Sequence, residues 1–264
     1  MTAAIPADAR SAIAGVAASA RLLVALDFDG TLAPLEDEPM DARMLPVARE
    51  ALDALVAAPD TVVALVSGRS LSDLRIIAEH LDDSPLLLAG SHGAEFWVPG
   101  EGVVSHDDEP GDDELRDSLR SHAEAATADL AGVWIEPKRF GFGVHTRKST
   151  PADANEANRL VDALVAAEAP HWRRRTGHNI VEYAFRHEGK DSAIAELRAR
   201  TDASAVLFAG DDVTDEDALE SLGPDDLGVH VGSRPTAASL CVPDIAALAA
   251  VLSVIAGERA ATRE

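Results

Sequence analysis

Arg21-Leu22-Leu23-Val24-Ala25-Leu26-Asp27-Phe28-Asp29-Gly30-Thr31 is the stretch from which the rest of the chain can be read. Its unbroken apolar run has no polar alternation, which is the pattern of a strand buried on both faces of a parallel sheet. The run stops at Asp27, so this acid falls at the strand's carboxyl end, where open α/β sheets bind their ligands. Asp29 comes two residues later, on the same side if the chain stays extended. Gly30 permits a sharp turn and Thr31 adds a hydroxyl. Two carboxylates so close repel one another without a cation, and a hard, oxygen-seeking ion such as Mg²⁺ meets that need. A solvated acidic turn would explain one acid, but a strand ending in Asp-x-Asp-Gly-Thr is rare by chance. It suits phosphoryl transfer to a carboxylate, which requires a nucleophile, a second acid and positive charge on the phosphate. Asp27 is the candidate nucleophile.

Further apolar runs bounded by turn residues predict strands at Thr61–Ser67, Leu86–Ala89, Ala205–Ala209 and Leu227–Val231. Helical patterns lie between them at Leu45–Ala58, Leu71–His80, Asp191–Arg200 and Asp215–Leu222, and Ile245–Ala256 reads as a terminal core helix. Strands alternating with helices give an α/β fold with a doubly wound parallel sheet. The middle of the chain breaks this rhythm. His106–Asp113 reads as an acidic linker, followed by a helix (Glu114–Leu130), strands around Trp134 and Val144, a helix (Ala152–Glu168), and strands around Trp172 and Ile180–Ala184. That αββαββ unit of about 80 residues is the size of a small domain. The expected organisation is a core at 1–105 and 188–264, with an inserted α+β cap at 106–187.

Three further sites carry chemistry. Ser67-Gly68-Arg69 ends the second strand just before a helix, offering a hydroxyl, backbone N–H groups and a guanidinium fork for an anion. Lys190 opens the helix that resumes the core, where a cation is disfavoured unless it has an anionic partner. Gly210-Asp211-Asp212-Val213-Thr214-Asp215-Glu216-Asp217 follows the strand ending at Ala209. Thr214 as a helix cap, with Asp217 in the reciprocal position, accounts for the acids from Asp215 onward. It leaves Asp211 and Asp212 unexplained, and these are the metal-site candidates.

Taken in order, these four sites resemble the haloacid dehalogenase superfamily of aspartate-nucleophile phosphatases. The resemblance implies that Asp27 attacks phosphorus and that Asp29 acts as general acid and then base, lending its carbonyl to Mg²⁺. It also implies Ser67 and Lys190 on the phosphate and Asp211 on the metal, with Asp212 and Asp215 completing or supporting the coordination. Within the superfamily, Asp27–Pro34, Gly90-Ser-His-Gly-Ala-Glu95 and Gly210–Asp217 are similar to the trehalose-6-phosphate phosphatases. So are Glu136-Pro-Lys138, His145-Thr-Arg147, and Gly177 followed by Glu182. This implies trehalose 6-phosphate as substrate. Glu136, Lys138 and Glu182 would hold the distal glucose, and Arg69, His92, His145 and Arg147 would lie nearer the phosphorylated sugar or the domain seam. Sucrose phosphate and glycosyl-phosphoglycerate are the alternative substrates. Two positions depart from the family pattern: Asp191 follows Lys190 where glycine is usual, and Tyr183-Ala-Phe-Arg186 replaces an Arg-Pro type ending.

Composition bounds the partners. Acidic residues outnumber basic ones 46 to 23, a net charge of −23 that argues against nucleic acid or an anionic membrane. Hydrophobic residues make up 47% of the 264, enough for a substantial core. The first twenty residues lack a basic start, and no apolar run is long enough to span a bilayer, so a cytoplasmic location is expected. The one cysteine, Cys241, excludes an internal disulfide and is expected to be a small buried hydrophobe. No partner chain is indicated, and a monomer is the expectation.

Overall fold

The structure, a computed structural model, describes residues 7–105, 110–177 and 179–261. Helix α1 (Ala7–Ala17) leads to β1 (Leu22–Leu26), α2 (Pro46–Ala57), β2 (Thr61–Val66), α3 (Leu71–Ile77) and β3 (Leu87–Gly90). A hairpin follows, made of β4 (Glu95–Val98) and β5 (Gly102–Ser105). Next come α4 (Asp112–Thr127), β6 (Trp134–Lys138), β7 (Gly141–His145), α5 (Pro151–Glu168), β8 (Arg173–Gly177) and β9 (Ile180–Ala184). The chain ends with α6 (Lys190–Thr201), β10 (Ala205–Gly210), α7 (Glu216–Ser221), β11 (Leu227–Val231), β12 (Leu240–Val242) and α8 (Ile245–Ala261). It divides into two compact units, Met1–Ser105 with Glu188–Glu264, and His106–His187. Of the linker expected at His106–Asp113, residues 106–109 lie outside the described residues, and Asp112 and Asp113 already belong to α4.

The larger unit is built on one sheet of eight described strands in the order β12-β11-β10-β1-β2-β3-β4-β5. Pairing is parallel from β12 to β3, and β4 and β5 add an antiparallel edge. Every residue of β1 and β10 is buried, because helices cover both faces of a parallel sheet and no side of these strands meets water. Side chains alternate between two clusters. Leu22, Val24 and Leu26 join Leu52, Leu248 and Leu252 on one face, and Leu23 and Ala25 join Ile194, Leu197 and Phe208 on the other. Pro46 starts α2 at a position where its missing N–H costs nothing. Cys241 is exposed, contrary to expectation, because β12 is the sheet's edge strand and only its flanking Leu240 and Val242 turn inward. Among the described residues, no helix is long and apolar enough to cross a membrane.

The smaller unit is a four-stranded antiparallel sheet, β6-β7-β9-β8, with α4 and α5 in the expected αββαββ order. One sheet face contributes Phe142, Val144, Val181 and Tyr183 to a buried core, together with Leu119 and Ala123 of α4 and Val161 of α5. Phe142, Trp172 and Tyr183 pack ring to ring, with centroids 5.5–6.2 Å apart. Period-two alternation sends Glu136, Lys138, His145 and Glu182 to the opposite face.

Candidate active site

From β1 the chain runs outward to β2 and β3, and from β10 it runs the other way to β11 and β12. The switch point between the carboxyl ends of β1 and β10 is where such sheets bind ligands. Asp27 follows β1 there, its N–H donating to Ala209 O at 2.9 Å. Asp211 follows β10. Phe28, fully buried in the core, anchors the turn between the two aspartates of the opening motif. Gly30 completes it with φ +79°, and a side chain there would run into the Asp211 carboxylate.

Lys190, at the first turn of α6 and 3% exposed, reaches into this crevice. Its Nζ donates to Asp27 Oδ1 at 2.6 Å and to Asp215 Oδ1 at 2.5 Å. Burial works against the ammonium, but the charges of Asp215 and Asp27 outweigh it and hold the lysine well above its ordinary pKa. Asp27, 5% exposed, is pushed up by burial and by Asp215 and Asp211, against the pull of Lys190. Asp211 is pushed up to about 7, first by burial and then by the charge of Asp215. Thr31 donates to Asp27 Oδ2 at 3.3 Å.

Lys190 thus binds two carboxylates with Asp211 beside them, and the surplus negative charge invites a cation. Asp27, Asp211 and Asp215 each offer an oxygen, all within 4.8 Å of one another, a donor set that fits a hard divalent ion. The third member, Asp215, is one of the two acids that the resemblance put forward to complete or support the coordination. Asp212, expected on the metal, instead accepts from Arg234 Nη1 at 2.9 Å. Asp215, which a first-turn acid would explain, is wholly buried, and its Oδ2 accepts from the N–H groups of Asp211 and Asp212. The helical turn after β10 opens on this Asp212–Asp215 pairing rather than on Thr214 and Asp217. Asp29 also stands apart from the carboxylate cluster. Arg69 grips it with two hydrogen bonds, Nε to Oδ2 at 2.6 Å and Nη2 to Oδ1 at 2.7 Å. Arg69, expected nearer the phosphorylated sugar or the domain seam, orients the second acid.

A second knot forms at the ends of β2 and β3. The buried Ser67 accepts the Arg69 N–H on its hydroxyl at 3.2 Å and the His92 N–H on its carbonyl at 2.9 Å. Ser91 and His92 both adopt positive φ, 49° and 59°, a strained pair that packs the buried imidazole over Gly68. Glu95, buried at the start of β4, holds this turn by accepting from the Leu71 N–H at 3.2 Å and Ser91 Oγ at 2.8 Å. Its place in Gly90–Glu95 was visible in the sequence, but its partner across the fold was not.

In the smaller unit, Lys138 Nζ lies 2.6 Å from Glu182 and 3.4 Å from Glu136, and His145 Nε2 lies 2.8 Å from the same Glu136 oxygen. Burial disfavours the Lys138 charge, but Glu182 and Glu136 overcome that and raise it above the usual lysine range. Burial likewise opposes ionisation of Glu136, yet the His145 hydrogen bond and Lys138 bring its carboxyl below the ordinary value. Arg147 lies exposed in the turn after β7.

Comparison with known proteins places this geometry. The family profile described as trehalose-phosphatase matches residues 25–243. A Mycobacterium marinum trehalose-phosphate phosphatase is 32% identical over 238 residues, 83% of this chain and 57% of that protein. An uncharacterized glycosyl hydrolase of Mycobacterium tuberculosis is 35% identical over 243 residues, 83% of this chain and 17% of that protein. The chain thus spans little more than half the length of the curated relatives it matches, or much less. The C-terminal domain of Candida albicans trehalose-6-phosphate phosphatase shares the fold, with a TM-score of 0.77 at 21% identity over 94% of this chain and 96% of that one. A match running from within β1 to just past β12, across the whole of the smaller unit and most of the larger, means that this chain belongs to the trehalose-phosphatase family.

Proposed function

We propose that the protein is a magnesium-dependent phosphatase that hydrolyses trehalose 6-phosphate to trehalose and phosphate through a phosphoaspartyl intermediate on Asp27. The observation that carries this reading is the buried cluster of Asp27, Lys190, Asp211 and Asp215 at the sheet's switch point. An Asp27 carboxylate oxygen forms a bond to phosphorus as the bond from phosphorus to the sugar oxygen breaks. Asp29 gives that oxygen its proton. Water then displaces Asp27 from phosphorus, and Asp29 takes up the water's proton. Lys190 and Ser67 hold the phosphate oxygens. Asp27 and Asp211, with the Asp29 carbonyl and support from Asp212 and Asp215, would hold Mg²⁺, which when bound supplies positive charge to the transferring phosphoryl group.

The polar face of the smaller unit's sheet (Glu136, Lys138, His145 and Glu182) reads the sugar, with Arg147 nearby and with Arg69 and His92 near the phosphorylated ring. In this reading residues 106–187 act as the cap on a core formed by 1–105 and 188–264. The enzyme works as a cytoplasmic monomer and takes no nucleic acid or membrane as partner. A panel of sugar phosphates assayed for phosphate release with Mg²⁺ tests the substrate. Trehalose 6-phosphate should exceed glucose 6-phosphate and sucrose 6-phosphate in kcat/KM, and Asp27→Asn should abolish turnover. Equal rates on glucose 6-phosphate would refute the substrate, and residual turnover in Asp27→Asn would refute the mechanism.

A further inference from the structure

Trp134 is the first residue of the edge strand β6 and is 39% exposed, whereas the chain's other tryptophans, Trp97 and Trp172, are buried. This indole therefore keeps part of its surface open at the start of the strand. It is also held in one orientation. The His145 ring stacks against one of its faces with centroids 4.4 Å apart and planes within 2° of parallel. His145 is fixed in turn by Glu136 at 2.8 Å, and Glu136 by Lys138 at 3.4 Å. The indole therefore ends a row on one sheet face: Trp134, His145, Glu136, Lys138, Glu182.

The middle of that row is closely packed, and only a glycine leaves room there for the neighbouring side chains. Gly143 lies between Glu136 and Glu182 in the strand register, and a Cβ there would come within 2.9 Å of Ile180 Cδ1 and 3.3 Å of Lys138 Cε. The only cation recorded over Trp134 among the described residues is Lys148, with Nζ 5.8 Å from the ring centroid. That is close to the ~6 Å limit of a useful cation–π contact, so little free energy holds it there.

An aromatic face beside carboxylates and an ammonium matches one kind of ligand. A pyranose ring has a C–H face that packs on an aromatic plane and a hydroxyl rim that needs donors and acceptors. We infer that Trp134 is a sugar-stacking platform and a specificity-determining residue, its indole face carrying a pyranose ring of the substrate beside the Glu136–Lys138–Glu182 row. The inference deepens the proposed function and rests on its reading of this sheet face as the part that recognises the sugar. His145 and Glu136 are positioning residues for the platform, since they preset the plane on which the sugar settles and so reduce the ordering cost of binding.

Kinetics and fluorescence together test it. Trp134→Ala should raise KM for trehalose 6-phosphate about five- to tenfold, the scale of one aromatic stacking contact. Trp134→Phe should restore most of the loss, and kcat/KM for β-glycerophosphate, which has no ring, should stay within twofold of the parent in both variants. In an Asp27→Asn background, where substrate binds without turnover, trehalose 6-phosphate should change the tryptophan emission saturably. That change should vanish with Trp134→Phe, because the two remaining indoles are buried. A KM in Trp134→Ala within twofold of the parent, on whichever sugar phosphate the parent hydrolyses fastest, overturns the platform and leaves the phosphatase reading standing. A parent that hydrolyses no sugar phosphate and whose emission responds to none overturns both.

Discussion

Asp215 carries the clearest consequence at the scale of single residues. Its two oxygens do different work, one accepting from Lys190 and the other ordering the N–H groups of Asp211 and Asp212. Asp215→Asn keeps the shape but removes a buried charge and turns a donor toward one of those donors. If, as proposed, it aims groups that hold phosphate and Mg²⁺, then Mg²⁺ affinity and kcat should each fall about 10–100-fold. A Mg²⁺ titration of activity separates the two effects, and a variant with the parent's metal midpoint and kcat would show Asp215 to be a helix-start acid only. In the sequence Asp27, Lys190 and Asp211 could be found because each interrupts an expected pattern, whether a strand end or a cation at a helix start. Asp215 could be singled out only through the family resemblance, because acids in a first turn need no explanation. The Arg69–Asp29 pair was hidden differently: forty residues separate its members, and no local pattern encodes the contact.

At the scale of elements, α8 is tied down by one side chain. Arg259 is buried near its end with no carboxylate among its recorded partners, and burial lowers its pKa. It donates instead to the carbonyls of Ala17 and Ser19 before β1, to those of Pro59 and Asp60 before β2, and to Thr61 Oγ1. Arg259→Ala would remove a buried side chain and its donor to the buried Ala17 carbonyl, along with the bonds that join α8 to the entries of β1 and β2, and should cost about 3 kcal/mol. Arg259→Lys keeps the charge but loses the planar fork, and should recover less than half of that. Urea unfolding midpoints measure both, and a loss below ~1 kcal/mol in Arg259→Ala would contradict the strap. This residue also explains why apolar patterning ends the last helix at Ala256 whereas the structure carries it to Ala261. A buried arginine looks like surface when only hydrophobicity is read. The β4–β5 hairpin escaped for a related reason: its strands are four residues each, and the first opens on the buried Glu95. Long unbroken runs such as β1 and β10 were legible because burial on both faces leaves nothing polar in them.

For the whole molecule the dominant number is the net charge of −23. Self-repulsion on that scale destabilises the compact state and weakens as salt screens it. Raising ionic strength from 0.01 M to 0.15 M shortens the Debye length from about 30 Å to about 8 Å, which should raise the melting temperature. A gain of about 1 kcal/mol corresponds to roughly 3 °C for a chain of this size. Acid acts in two opposing ways. Protonating carboxylates that have no cationic partner relieves repulsion, which favours the fold. Glu136 behaves oppositely: its folded-state carboxyl lies below its ordinary value of 4.5, so its contribution is full above that value and is lost as pH falls through the depressed one. At low salt, stability should therefore hold or rise from pH 7 to about 5 and decline below about 4.5. At high salt the surface repulsion is already screened, so the rise should shrink to what the buried Asp27 and Asp211, held above their ordinary values, contribute, and the decline should remain. Melting curves at three pH values and two salt concentrations resolve the two contributions, and Glu136→Gln should flatten the acid limb. If stability instead fell steadily from pH 7 at low salt, repulsion among the surplus carboxylates would not be what limits this fold.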